Sequence, residues 1–172
     1  IALISKITSL PTANFKADTT VVSAGGTINF EDRTNGDPEY WNWIFYSGNP
    51  SSYAGKQPPG ITYKDYGLYD VILVVSGGDR SDTLTRRDYI RVTPNIFPNP
   101  ADEYVVMDFG RRQVDYVVVS FYDMQGRLVR EYSVDSAVTG IWRLNIGDIN
   151  AGKYILHIRT NVMEDSLPLI VY

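Results

Sequence analysis

The chain has 172 residues, 44% of them hydrophobic, with 13 tyrosines and a formal net charge of −4, which suits one large or two small folded domains and argues against a disordered tail. Residues 1–93 hold nine Lys and Arg against ten Asp and Glu, and residues 94–172 hold seven against ten. Neither half has the basic excess that phosphate neutralisation requires, which argues against nucleic acid as a partner.

The absence of cysteine excludes disulfides and thiolate metal sites. Apolar runs such as Val71–Val75 are too short to cross a bilayer.

In chain order, Ile1–Leu10 ahead of Pro11 reads as a linker or the end of a preceding domain. Thr27–Glu31 alternates, with Ile28 and Phe30 on one face. Trp41, Trp43 and Phe45 share a face, as do Tyr69, Val71, Leu73 and Val75. The prolines around Thr93-Pro94-Asn95 and Pro98-Asn99-Pro100 disfavour a continuous strand, because proline lacks the ladder donor. They place a boundary between domains at 11–93 and 94–172.

In the second half, Tyr116-Val117-Val118-Val119 is apolar on both faces and predicts a central strand covered on both sides. Asp123-Met124-Gln125-Gly126 has the residue preferences of a type I turn between strands Tyr116–Tyr122 and Arg127–Tyr132. Trp142, Leu144 and Ile146 alternate, and after a turn at Asn150-Ala151-Gly152 so do Tyr154, Leu156 and Ile158. Leu167–Val171 adds a last strand, which Pro168 places at a sheet edge. This period-two pattern, punctuated by Gly, Pro, Asn and Asp, predicts an all-β fold.

Two groups of motifs carry resemblances. Asp65-Tyr66-Gly67-Leu68-Tyr69-Asp70-Val71 follows the D-x-G-x-Y-x-C pattern of immunoglobulin-like sandwiches, with Val71 in the cysteine place. Together with Ala13-Asn14-Phe15, Gly26–Phe30, Trp43 with Phe45, and Thr62-Tyr63, it makes Pro11–Val92 resemble a PKD domain. The family's W-x-F-G-D-G element stands here as Trp43-Ile44-Phe45-Tyr46-Ser47-Gly48, which weakens any carboxylate-dependent metal site there. The resemblance implies a core position for Trp43 and a hydroxyl-to-backbone corner bond for Tyr69. Apolar packing from Ile28 or Phe30 then stands in for the disulfide.

Asn95–Tyr172 resembles the C-terminal sorting domain of the type IX secretion system. The residues that carry the match are Pro98, Asn99, Pro100, Asp123, Gly126, Arg127, Gly152 and Tyr154. Pro168 stands where the family often has lysine, and Met163-Glu164-Asp165 lacks the usual glycine. The fold that the two resemblances imply is two tandem immunoglobulin-like β-sandwich domains.

The second resemblance also implies export across the outer membrane to the cell surface or extracellular space. Its partners would be the type IX translocon and a sortase-like protease. Leu169, Ile170, Val171 and Tyr172 are apolar on both faces, so they either close the sandwich core or dock on the translocon. Thr93–Ile96 is the expected accessible window for processing. Because Ile1 opens no basic, apolar signal segment, the chain reads as part of a longer exported protein with any catalytic cargo upstream.

Little else points to chemistry. His157, the only histidine, reads as a solvent-facing strand residue, not a catalytic base, since no nucleophile motif accompanies it. Glu31, Asp32, Asp37, Glu39, Asp79 and Asp82 read as solvated turn formers, with oxygen ligation of calcium as the alternative. Tyr40, Tyr46 and Tyr53 are left as exposed aromatics, either ordinary packing or a sugar-stacking platform. Gly25-Gly26 and Gly77-Gly78 flank strands and read as turns, not phosphate loops. The reading is a monomeric, non-catalytic region without cofactor or metal. Its alternative is an adhesive module that binds a surface polysaccharide or protein, with the second domain as a permanent surface anchor.

Overall fold

The computed structural model describes residues 9–172, so the expected linker over residues 1–10 lies outside the described residues except for Ser9 and Leu10. Two compact units divide the chain. The first takes in the residues up to Val22 with Gly26–Tyr63 and Tyr69–Arg91, and the second takes in Ser23–Gly25, Lys64–Leu68 and Val92–Tyr172. All regular elements among the described residues are strands.

The first unit is built from β1 (Phe15–Ala17), β2 (Val21–Ser23), β3 (Gly26–Ile28), β4 (Phe30–Asp32), β5 (Tyr40–Phe45), β6 (Gly48–Asn49), β7 (Ser52–Ala54), β8 (Ile61–Tyr63), β9 (Gly67–Gly77) and β10 (Arg80–Thr93). One sheet has the order β2-β10-β9-β5-β7, and the facing layer consists of β3-β8-β6 with the pair β1-β4. Alternation decides the inner face: Trp43, Phe45, Val71, Leu73 and Val75 are fully buried, and antiparallel pairing sets Trp43 against Leu73 and Phe45 against Val71.

The strand expected over Thr27–Glu31 is instead two strands. β3 pairs with β8 and β4 with β1. The break falls at Asn29, whose N–H and side-chain amide both donate to the Asp18 carboxylate, at 3.1 and 2.8 Å. Ile28 and Phe30 stay fully buried on either side of it.

Aromatic packing fills this core, and Phe30 takes part in it, its ring 4.8 Å from that of Phe45. Trp43 stacks on Phe45 at 5.9 Å and meets the ring of Phe15 edge-on at 5.4 Å. Its Nε1–H donates to the Gly55 carbonyl at 3.0 Å, so the indole is buried without an orphaned donor. Trp41 shares its face but lies half-exposed, with the Lys56 ammonium 5.8 Å from its ring centre.

The second unit contains β11 (Asn95–Phe97), β12 (Tyr104–Val114), β13 (Val117–Asp123), β14 (Leu128–Val134), β15 (Val138–Asn145), β16 (Gly152–Thr160) and β17 (Glu164–Val171). They form the sheets β11-β12-β15 and β14-β13-β16-β17. Val105, Met107 and Phe109 from one sheet share a core with Val119, Phe121, Leu156, Ile158 and Leu169 from the other.

Two expectations change here. β13 is central in its sheet but is buried on one face only. Val118 is half-exposed, and the neighbouring Ser120 is shielded by its cross-strand partners, donating to Glu131 Oε2 at 2.7 Å. The Thr93–Ile96 window is not an open linker either. Thr93 and Pro94 are buried, and Asn95–Phe97 pairs with Val106–Asp108.

Candidate functional site

The residues singled out for sorting come from three separated segments, and the fold brings them to one end of the four-stranded sheet. Asp123 on β13 pairs with Tyr154 on β16, and Tyr154 pairs in turn with Leu169 on β17. Two positions on, Gly152 pairs with Val171. Ala101, immediately after Pro98-Asn99-Pro100, forms a parallel bridge to Val171.

That bridge matters because β17 is an edge strand. In a ladder, successive residues turn their N–H and C=O groups to opposite sides. One side of β17 is taken by β16, and the outward groups near its end belong to Pro168, Ile170 and Tyr172. Asn99 Nδ2 donates to the Pro168 carbonyl and Asn99 Oδ1 accepts from the Ile170 N–H, both at 3.0 Å. The Ala101 N–H donates to the Ile170 carbonyl at 2.8 Å, and the Tyr172 N–H donates to the Ala101 carbonyl at 2.9 Å. Pro168 itself has no N–H to satisfy. The backbone of this stretch is therefore paired on both sides.

Its side chains divide cleanly. Leu169 and Val171 are 1% and 2% exposed, inside the core, whereas Ile170 is 37% and Tyr172 76% exposed. Of the four residues expected to dock, two close the sandwich and two face outward.

The β13–β14 hairpin is organised by Asp123. Gly126 N–H donates to the Asp123 carbonyl at 2.9 Å and Asp123 N–H to the Arg127 carbonyl at 3.0 Å. Gly126 has φ +76°, a left-handed conformation in which glycine avoids the Cβ clash. The Asp123 carboxylate accepts from the N–H groups of Gln125 and Arg127 and pairs with the Arg127 guanidinium at 2.7 Å. The Arg127 backbone N–H, with the guanidinium and Gln125 N–H adding to it, holds this carboxyl below the usual carboxylate range.

Tyr154 is 7% exposed, and its hydroxyl donates to the Asn150 carbonyl at 2.6 Å. Its ring lies over Gly152, where an added Cβ would stand 3.4 Å from it. This is a hydroxyl-to-backbone corner bond in the second unit. The sequence motif predicts such a bond only at Tyr69, although Asn150-Ala151-Gly152-Lys153-Tyr154 has the spacing of Asp65-Tyr66-Gly67-Leu68-Tyr69.

The remaining candidates are dispersed. His157 is half-exposed, with Nε2 3.5 Å from Glu164 Oε2. Glu31 is engaged by Lys16 and Arg33, Asp32 accepts from Thr34, and Asp82 accepts from the Ala13 N–H. Among the described residues, no group of three or more His, Cys, Asp or Glu stands close enough to hold a metal ion. Tyr40 is 70% and Tyr46 53% exposed, and Tyr53 is half-exposed. No helix among the described residues is long and apolar enough to cross a membrane.

The strand orders and the two-sided cores define two tandem immunoglobulin-like β-sandwich domains. Residues 12–87 match the PKD domain family. Residues 95–171 match the secretion system C-terminal sorting domain family, so the chain carries a PKD domain followed by a type IX sorting domain. Both are non-catalytic folds, and a sorting domain of this kind indicates export by type IX secretion to the cell surface or extracellular space.

No curated protein matches the chain. Among solved structures, the two-domain fibronectin type III segment of chicken tenascin is similar at 14% identity, over 94% of this chain and 99% of that one, with a TM-score of 0.41. The FN1–FN3 domains of chicken CNTN1 are similar at 9% identity, over 95% and 67% of the two chains, with a TM-score of 0.34. The N-terminal four immunoglobulin domains of Dscam1 are similar at 13% identity, over 97% and 46%, with a TM-score of 0.36.

Proposed function

We propose that this chain is a non-catalytic region of a surface protein, in which the PKD domain is a spacer and the sorting domain is a folded export signal. The signal engages the outer-membrane translocon, and a sortase-like protease is its second partner. The observation that carries this reading is that Asp123, Tyr154 and Leu169 share one end of the sheet, where Asn99 and Ala101 hold the end of β17 and Ile170 and Tyr172 face outward. A folded signal needs only a fixed surface, and residues distant in sequence supply one here.

The test is export of a reporter fused ahead of the whole chain, in a host that has the type IX machinery. Removing Leu169–Tyr172 should abolish export, and because Leu169 and Val171 are core residues the outward pair is tested alone by Ile170→Ala/Tyr172→Ala, which should lower export while the fusion stays folded by circular dichroism. Normal export of the folded, truncated fusion would remove these residues from the recognition surface. The exposed Tyr40 and Tyr46 favour a second reading, adhesion to a surface polysaccharide. Saturable polysaccharide binding that is lost in a Tyr40→Ala/Tyr46→Ala variant would support it.

A further inference from the structure

We infer that Asn99 is a positioning residue that determines how the end of β17 is read: by its outward side chains and not by strand addition. This rests on the proposed docking role of Leu169–Tyr172.

A free sheet edge is an open template for a partner strand, and edge pairing is the simplest way to recognise an extended segment. At Pro168–Tyr172 that route is closed. The carboxamide of Asn99 supplies an acceptor and a donor with the spacing of a neighbouring strand's peptide group, and Ala101 continues the same ladder. An incoming strand would have to displace four hydrogen bonds.

Only an amide side chain does this work unaided. A carboxylate keeps the acceptor for Ile170 N–H but presents a second acceptor to the Pro168 carbonyl. With the backbone pinned on both sides, Ile170 and Tyr172 project from a fixed strand, while Leu169 and Val171 anchor it from below. A partner then meets an apolar pair held in place and loses little conformational entropy on binding it.

The test uses the whole chain fused behind a reporter, with three variants: Asn99→Ala, Asn99→Asp and removal of Leu169–Tyr172. Hydrogen exchange at the Ile170 amide, the melting temperature and export are read together. Asn99→Ala should speed Ile170 exchange about tenfold, the worth of one hydrogen bond. It should also lower export several-fold, while the chain stays folded with its melting temperature lowered by a few degrees.

Asn99→Asp, which keeps the acceptor, should retain much of the protection and export with intermediate efficiency. Unchanged export by Asn99→Ala, despite faster exchange at Ile170, overturns the inference. Should Asn99→Ala not fold, full export by Asn99→Asp with its Ile170 protection lost overturns it equally. If the truncated fusion is exported normally, it is the docking reading that fails. If truncation abolishes export and Asn99→Ala does not reduce it, only the role given to Asn99 fails.

Discussion

The hydroxyl of Tyr154 donates to the carbonyl of Asn150, four residues earlier, at 2.6 Å. The bond ties the start of β16 to the turn before it and fixes the rung on which Asp123, Tyr154 and Leu169 meet. Tyr154→Phe keeps the ring and removes only this bond, so it should cost about 1 kcal/mol of stability. Urea unfolding of the two proteins measures the difference.

Tyr63 is the opposite case. Its hydroxyl is buried with no hydrogen-bond partner among the described residues, and burial, with Tyr69 alongside, pushes its pKa up. A buried hydroxyl without a partner costs its desolvation and returns nothing. Tyr63→Phe should therefore be neutral or stabilising by up to about 1 kcal/mol, as read from the same denaturation experiment. A loss comparable to that of Tyr154→Phe would contradict this account.

Trp43 is fully buried, packed on Phe45 and Phe15 and bonded to Gly55. Trp43→Ala should cost about 3–5 kcal/mol as a large-to-small core change. Trp43→Phe, which loses the Nε1–H and part of the ring, should cost less. Calorimetry of the three proteins gives the order.

Asp123 makes stability depend on pH. Its carboxyl is held below the ordinary range by the Arg127 N–H and guanidinium, so the folded state binds the proton less readily than the unfolded one. The stabilisation is complete above the unfolded carboxyl value of about 3.9 and is lost as pH falls through the lower folded value. The gap in melting temperature between the parent and Asp123→Ala should be constant near neutrality and close on acidification below about pH 4.

Processing is constrained by the pairing of Asn95–Phe97 with Val106–Asp108 and by the burial of Thr93 and Pro94. A protease needs several extended, unpaired residues. Limited proteolysis of the folded chain should leave the bonds of residues 93–96 intact until the second unit opens, with mass spectrometry locating the first cuts.

The sequence alone determined the strand class, the inner faces and the two families. Period-two alternation is a local property, and Trp43, Val71, Leu156 and Ile158 lie inside because their neighbours along the chain face outward. The hairpin at Asp123–Gly126 was legible for the same reason, since a turn is written in four consecutive residues.

What alternation could not convey was pairing between distant segments. Asn29 splits an apparent single strand because Asp18, eleven residues earlier, takes its donors. Val118 lies half-exposed on the face of β13 opposite the core, where Ser120 is buried and bonded to Glu131. The spacing of Asn150 to Tyr154 was visible in the sequence, but the bond it supports appears only once Tyr154 is seated in the core. The tertiary structure alone decided that Asn99 and Ala101 close the edge beside Ile170. A proline-rich segment about 70 residues away in sequence has no local signal for the strand whose donors and acceptors it completes.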